Sequence, residues 1–160
     1  AEVIGDSVEE MLEMADDYIE IGPNITIKVP LTPEGLKVCK DLSTDDVAVN
    51  VTLCFSTAQA ILAAKAGATY VSPFVGRVYD QSFDGLKLIE EISDVYATHK
   101  QKTEVLAASI RDVHQVASCF RVGADICTIP SKIFSGMYKH ILTDQGIAKF
   151  DEDWTKLVGG

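Results

Sequence analysis

Positive charge is scarce in this chain: 14 lysines and arginines stand against 24 aspartates and glutamates, a net charge of −10. Such a field repels nucleic acid and anionic membrane as general partners, and an anionic substrate would need a local positive site. Long apolar runs are lacking too, since none approaches the roughly 18 residues of a membrane span. The start, Ala1-Glu2-Val3-Ile4-Gly5-Asp6, has neither a basic region nor a small-residue cleavage pattern, so no signal peptide is expected. Cysteine is limited to Cys39, Cys54, Cys119 and Cys127, scattered through apolar segments with no Cys-x-x-Cys pair. They read as reduced, buried thiols of a cytoplasmic protein, not as a disulfide framework or zinc ligands. His99, His114 and His140 share no metal-ligand spacing. No glycine-rich dinucleotide loop follows any expected strand. Neither a metal nor a cofactor is expected.

What remains is ordinary globular composition, 47% hydrophobic and 24% charged over 160 residues, enough for one sizeable core. The chain turns on Asn24-Ile25-Thr26-Ile27-Lys28-Val29-Pro30, six uncharged residues and one lysine that read as a buried strand. Ile25, Ile27 and Val29 share one face by the two-residue period, and Thr26 and Lys28 the other. From this strand alone, a lysine with its stem on apolar surface and its head in water is the better reading. The alternative is a desolvated amine able to attack carbonyls.

Around this strand, short β-branched runs alternate with amphipathic helices. Strands are expected at Glu2–Ile4, at the Lys28 segment, and at Val47–Cys54, Tyr70–Pro73, Glu104–Ala108 and Ile126–Ile129. Helices are expected from Ser7 to about Ile21, Thr32 to Leu42, Ser56 to Gly67, Gly85 to His99 and Asp112 to Arg121, with a short one from Ser131. Ser7-x-x-Glu10 and Ser56-x-x-Gln59 are capping boxes, and Thr32-Pro33 is an N-cap followed by proline at the first helical position. Val75 to about Asp84 is expected as a loop. Ala66-Gly67-Ala68-Thr69-Tyr70-Val71-Ser72-Pro73 echoes Val122-Gly123-Ala124-Asp125-Ile126-Cys127-Thr128-Ile129-Pro130: a helix stops at glycine, a strand follows, a proline closes it.

Repeated βα units with short links imply a parallel sheet with right-handed crossovers. A (β/α)8 TIM barrel is the preferred fold class, yet about six units are found where closure takes eight, and 160 residues where about 250 is typical. The expectation is an incomplete barrel, strands 3 to 8, over residues 1–142. A C-terminal helix at 143–160 would begin near Gly146 and carry an apolar stripe of Ile147, Phe150, Trp154, Leu157 and Val158. That stripe is expected to cover the barrel end, with docking on a neighbouring subunit as the alternative.

Function in such barrels concentrates at the C-terminal ends of the strands. The polar or distinctive residues there are Glu2, Lys28, Asn50, Thr52, Ser72, Phe74, Arg77 and Ser109. Singly, each has a plainer explanation: Glu2 solvated at a terminus, Thr52 a common strand residue, Arg77 a surface charge, Ser109 a turn. Together, an amine, a carboxylate and a hydroxyl at one barrel mouth suit carbinolamine and Schiff-base chemistry. Arg77 and Ser109 suit a phosphate.

At this point a family resemblance can be named. Ile27-Lys28-Val29-Pro30-Leu31-Thr32-Pro33-Glu34-Gly35-Leu36 resembles the Schiff-base lysine motif of the small transaldolases, the group of fructose-6-phosphate aldolase and the phage-type transaldolases. Asn50-Val51-Thr52-Leu53-Cys54-Phe55-Ser56, Tyr70-Val71-Ser72-Pro73-Phe74-Val75-Gly76-Arg77 and Val105-Leu106-Ala107-Ala108-Ser109 match further motifs in order. The resemblance implies that Lys28 forms a Schiff base with a ketose phosphate such as sedoheptulose 7-phosphate or fructose 6-phosphate. A dihydroxyacetone unit then passes to an aldose phosphate, as in the pentose phosphate pathway. It implies that Glu2 and Thr52 hold a catalytic water and that Arg77 and Ser109 hold phosphate, with Phe74, Asn50 and Ser72 lining the substrate. The aldolase branch is expected to carry glutamine at position 2 and tyrosine at position 74, so Glu2 and Phe74 favour transaldolase. Sugar phosphates are the implied partners, in a homo-oligomer of five or ten subunits. An aspartate acid/base and an asparagine are implied on two preceding strands that these 160 residues do not contain. Turnover by this chain alone is therefore expected to fall by about 10²–10⁴-fold. Two other activities are weighed: a fructose-6-phosphate aldolase, and a non-catalytic barrel kept as an oligomer subunit.

Overall fold

The computed structural model of the chain describes residues 1–159. Ser7 opens helix α1 (Val8–Ile19) by accepting from the Glu10 N–H. The Glu10 carboxylate reaches back to the Asp6 N–H, one residue before the cap. Strand β1 (Ile27–Pro30) follows, then α2 (Pro33–Thr44), where Thr32 caps Gly35 and Pro33 starts the first turn. Strand β2 (Val49–Cys54) leads to α3 (Thr57–Lys65), capped by Ser56, with Gln59 accepting from the Phe55 N–H. Strand β3 (Tyr70–Pro73) is followed by α4 (Val75–Asp80) and α5 (Gly85–Thr98). Strand β4 (Glu104–Ala107), α6 (Val113–Arg121), β5 (Ile126–Cys127), α7 (Ser131–Gly136) and α8 (Ile141–Val158) complete the order.

The five strands form one parallel sheet in the order β1-β2-β3-β4-β5. A doubly wound sheet reverses its strand order at a switch point, whereas this order runs straight through, as a barrel wall does. Ile27, Val29, Val49, Val51, Val71, Val105 and Ala107 are buried under the helices. Lys28 registers with Asn50, and Asn50 with Tyr70, which puts this row on the opposite, concave face. The fold is an open segment of a (β/α) barrel.

Several expectations need correction. Glu2–Ile4 makes no strand; Glu2 forms only a parallel bridge to Lys28, with the Val3 N–H donating to the Lys28 carbonyl. The sixth strand shortens to Ile126–Cys127. The stretch expected as a loop from Val75 contains α4. It holds a glycine and two valines and no capping side chain, so nothing in its propensity announces a helix. It forms because the Val75 and Gly76 N–H groups bond to the carbonyls of Ala108 and Ser109. Helix α8 starts five residues before Gly146, with His140 Nδ1 accepting from the Leu142 N–H. Its stripe does not cover the barrel end: Phe150, Trp154 and Leu157 are 74%, 63% and 75% exposed, and no residue of the helix is buried.

The internal echo is structural as well. Gly67 and Gly123 both sit at positive φ, +91° and +103°, just past α3 and α6. Ser43 Oγ donates to the Ala66 carbonyl and Ser93 Oγ to the Gly123 carbonyl, each from the preceding helix of its pair. Burial pushes the Cys39 and Cys54 thiols up to about 11, which leaves them protonated and unreactive at neutral pH. Among the described residues, no helix is long and apolar enough to cross a membrane.

Candidate active site

Lys28 is fixed by pairing on both sides. Its N–H donates to the Ala1 carbonyl, its carbonyl accepts from Val3, and β2 lies across the other edge. Nζ projects onto the concave face and meets Glu2 Oε2 at 2.9 Å, the lysine side chain 34% exposed and the glutamate 50%. A half-exposed pair of this kind adds little stability. Its chemical value is proximity, because Glu2 can accept a proton from the amine and return it.

Beside Lys28 lies a hollow of about 270 Å³. Asn50, Thr52, Ser72, Phe74 and Ser109 line it together with Lys28. An adjoining hollow of about 420 Å³ shares Lys28 and Asn50 and adds Glu2 and Thr26. Ser72, 3% exposed, donates from Oγ to Asn50 Oδ1 at 2.8 Å, which holds the Asn50 amide in one orientation. Thr52 differs from these satisfied groups. It is 1% exposed, and its Oγ1 has no hydrogen-bond partner among the described residues. Buried hydroxyls are nearly always satisfied, so this orphan marks a place where a polar guest belongs. Immediately after it, Leu53 takes φ +60° at an irregularity in the β2–β3 register. Bulges of this kind often re-aim side chains next to active sites.

Arg77 stands outside the lysine hollow. Its guanidinium lies over the Phe74 ring, 4.9 Å from the centroid, and Phe74 also packs on Phe55. Phe74 lines the lysine hollow, whereas Arg77 lines a separate cavity of about 600 Å³ with Phe55, Asp80 and Arg111. Ser109, which lines the lysine hollow, takes φ +61°, a conformation costly for serine and frequent at functional sites. A Cβ at Gly76 would collide with the Ser109 carbonyl and would lie within 2.9 Å of Ser109 Oγ and Arg111 Nε. Only glycine allows α4 to approach this closely. Sequence reasoning missed Arg111. Its place beside Ser109 depends on the α4 contact, which has no local signal.

An amine, a carboxylate, an orphaned hydroxyl and a serine line the lysine hollows, and two arginines line a separate cavity, one of them stacked on Phe74; this set suits a phosphorylated carbonyl compound. Among the described residues, Glu2 is the one carboxylate lining either hollow at the lysine. No group of three or more His, Cys, Asp or Glu is placed to hold a metal ion among those residues.

Known proteins match the chain over almost its whole length. The family model "Transaldolase/Fructose-6-phosphate aldolase" matches residues 1–160. A probable transaldolase of Cereibacter sphaeroides is 53% identical over 156 residues, covering 98% of this chain and 71% of the relative. Those of Paracoccus denitrificans and Geobacillus thermodenitrificans are 49% and 50% identical, again over 98% of this chain and 72% and 73% of theirs. Among solved structures, a mandelate oxidase superposes with a TM-score of 0.62 at 15% identity, over 80% of this chain. The chain spans about half of that structure, 48%, and the likeness is one of fold alone. The chain belongs to the transaldolase/fructose-6-phosphate aldolase family.

Proposed function

We propose that the site is that of a transaldolase, with Lys28 as the Schiff-base nucleophile. Neutral Nζ attacks the C2 carbonyl of a ketose phosphate, and loss of water from the carbinolamine gives the imine. Cleavage between C3 and C4 then releases an aldose phosphate and leaves a dihydroxyacetone enamine on Lys28. An acceptor aldose phosphate takes up that unit, and hydrolysis frees the amine. Glu2 shuttles protons at Nζ, and with Thr52 Oγ1 holds the water that leaves and returns. Asn50 and Ser72 hold the substrate hydroxyls, and Ser109, Arg77 and Arg111 take the phosphate. The aspartate implied on a preceding strand would share the proton transfers at C4. Helix α8, apolar and uncovered, would dock on a neighbouring subunit of a ring.

The observation that carries this reading is the Lys28–Glu2 pair at 2.9 Å beside the orphaned Thr52 hydroxyl. Phe74 in place of tyrosine and Glu2 in place of glutamine favour transfer over simple aldol cleavage. Fructose 6-phosphate with and without an aldose phosphate acceptor separates the two. We expect triose phosphate to accumulate only when the acceptor is present. Steady release of dihydroxyacetone without acceptor would mean an aldolase instead.

A further inference from the structure

Strand β2 carries one residue more than β3 over the stretch where they pair. Val51 registers with Val71 and Cys54 with Pro73, so three steps along β2 answer two along β3. Leu53 absorbs the difference by taking a left-handed backbone, φ +60°, which is unfavourable for a residue with a Cβ. It also leaves the leucine side chain exposed, while Cys54 takes the buried place under the helices. Pairing holds this bulge on both edges. The Phe74 N–H donates to the Cys54 carbonyl at 3.2 Å, and the Leu31 N–H donates to the Thr52 carbonyl at 3.0 Å.

The consequence lies at Thr52. Without the extra residue, the ladder that pairs Val51 with Val71 would set Thr52 beside Ser72 on the concave face. Ser72 Oγ gives its own hydrogen to Asn50 Oδ1 and could accept one from Thr52. With the bulge in place, Thr52 Oγ1 has no partner among the described residues. A bulge in a barrel wall can serve curvature alone. Curvature does not account for an orphaned hydroxyl in the hollow of the lysine, since valine at position 52 would bend the same strand.

We propose that Leu53 is a positioning residue: its left-handed backbone makes the bulge that parts the Thr52 hydroxyl from Ser72 and keeps it free for the water of the Lys28 chemistry. The proposal rests on the role given to Thr52 above. It makes the strained backbone at position 53, and not the leucine side chain, the feature that matters.

The test is deletion of Leu53 from the full chain, alone and combined with Thr52→Val. The readout is the rate at which Lys28 forms an imine with unphosphorylated dihydroxyacetone, trapped by excess cyanoborohydride. In that step amine and ketone combine and release one water. Thr52→Val alone is expected to slow trapping by about 10²-fold or more. The deletion should slow it by a similar factor, yet add less than about twofold in the Thr52→Val chain. Losses that multiply overturn the proposal, because a bulge serving curvature acts independently of the hydroxyl. A folded deletion chain that traps at full rate, while Thr52→Val is slow, overturns it too and leaves the role of Thr52 standing. Full-rate trapping in Thr52→Val removes both. Where the deletion chain does not fold, Leu53→Val and Leu53→Gly decide. The β-branch of valine resists left-handed backbone, and glycine adopts it freely. Trapping lost in Leu53→Val and regained in Leu53→Gly supports the proposal, and any other order overturns it.

Discussion

Lys28→Arg is expected to reduce turnover of a ketose phosphate with an acceptor by on the order of 10⁴–10⁶-fold, the scale seen when an enzyme loses its covalent nucleophile. The melting temperature should hardly move. Arginine keeps the aliphatic stem on the concave face and can still pair with Glu2, and a half-exposed ion pair is worth about 0–1 kcal/mol in any case. What arginine cannot do is lose its proton to become a nucleophile. Loss of activity with retained stability would therefore identify the amine chemistry rather than the charge. Residual turnover above about one per cent would leave the covalent mechanism without support.

Thr52→Val should separate stability from activity in the opposite sense. The hydroxyl is 1% exposed and has no partner among the described residues. The partner proposed for this hydroxyl is a water, whose ordering costs about 0–2 kcal/mol, and valine fills the same volume without needing one. The variant is expected to melt at the same temperature as the parent or a few degrees higher. Activity should nevertheless fall by about 10²–10⁴-fold, because the water that forms and hydrolyses the imine loses a ligand. A gain in stability joined to a loss of rate is the signature of a group retained for chemistry. Thermal melts and kcat on the same preparations check both halves. A destabilised variant of full activity would show Thr52 to be an ordinary strand residue.

Much of this arrangement is legible from residue patterns. The alternation through Ile27, Lys28 and Val29 placed the lysine opposite the buried face, and the capping residues Ser7, Thr32 and Ser56 located three helix starts. These are local signals, written in two- and four-residue spacings. What stayed hidden depends on tertiary contact. Helix α4 has poor helical propensity and exists because its first N–H groups find the end of β4. Helix α8 runs through Gly146, where glycine in an exposed turn weakens a helix by only about 1 kcal/mol against alanine. The bond from Ser72 to Asn50 and the isolation of Thr52 arise across strands, and no spacing along one strand distinguishes a satisfied hydroxyl from an orphaned one. Arg111 and Asp80 are 31 positions apart and meet only because α4 folds onto the loop after β4.

The stripe on α8 carries the same lesson. Helical spacing showed correctly that Phe150, Trp154 and Leu157 share an apolar face, but spacing does not say what the face meets. The structure leaves it open to solvent.

The central claim is that Lys28 is the covalent nucleophile, and borohydride reduction in the presence of fructose 6-phosphate, followed by peptide mass mapping, tests it most directly. The account predicts a reduced dihydroxyacetone adduct on the peptide containing Lys28, absent in Lys28→Arg. An adduct on another lysine, or none while substrate is turned over, would contradict it.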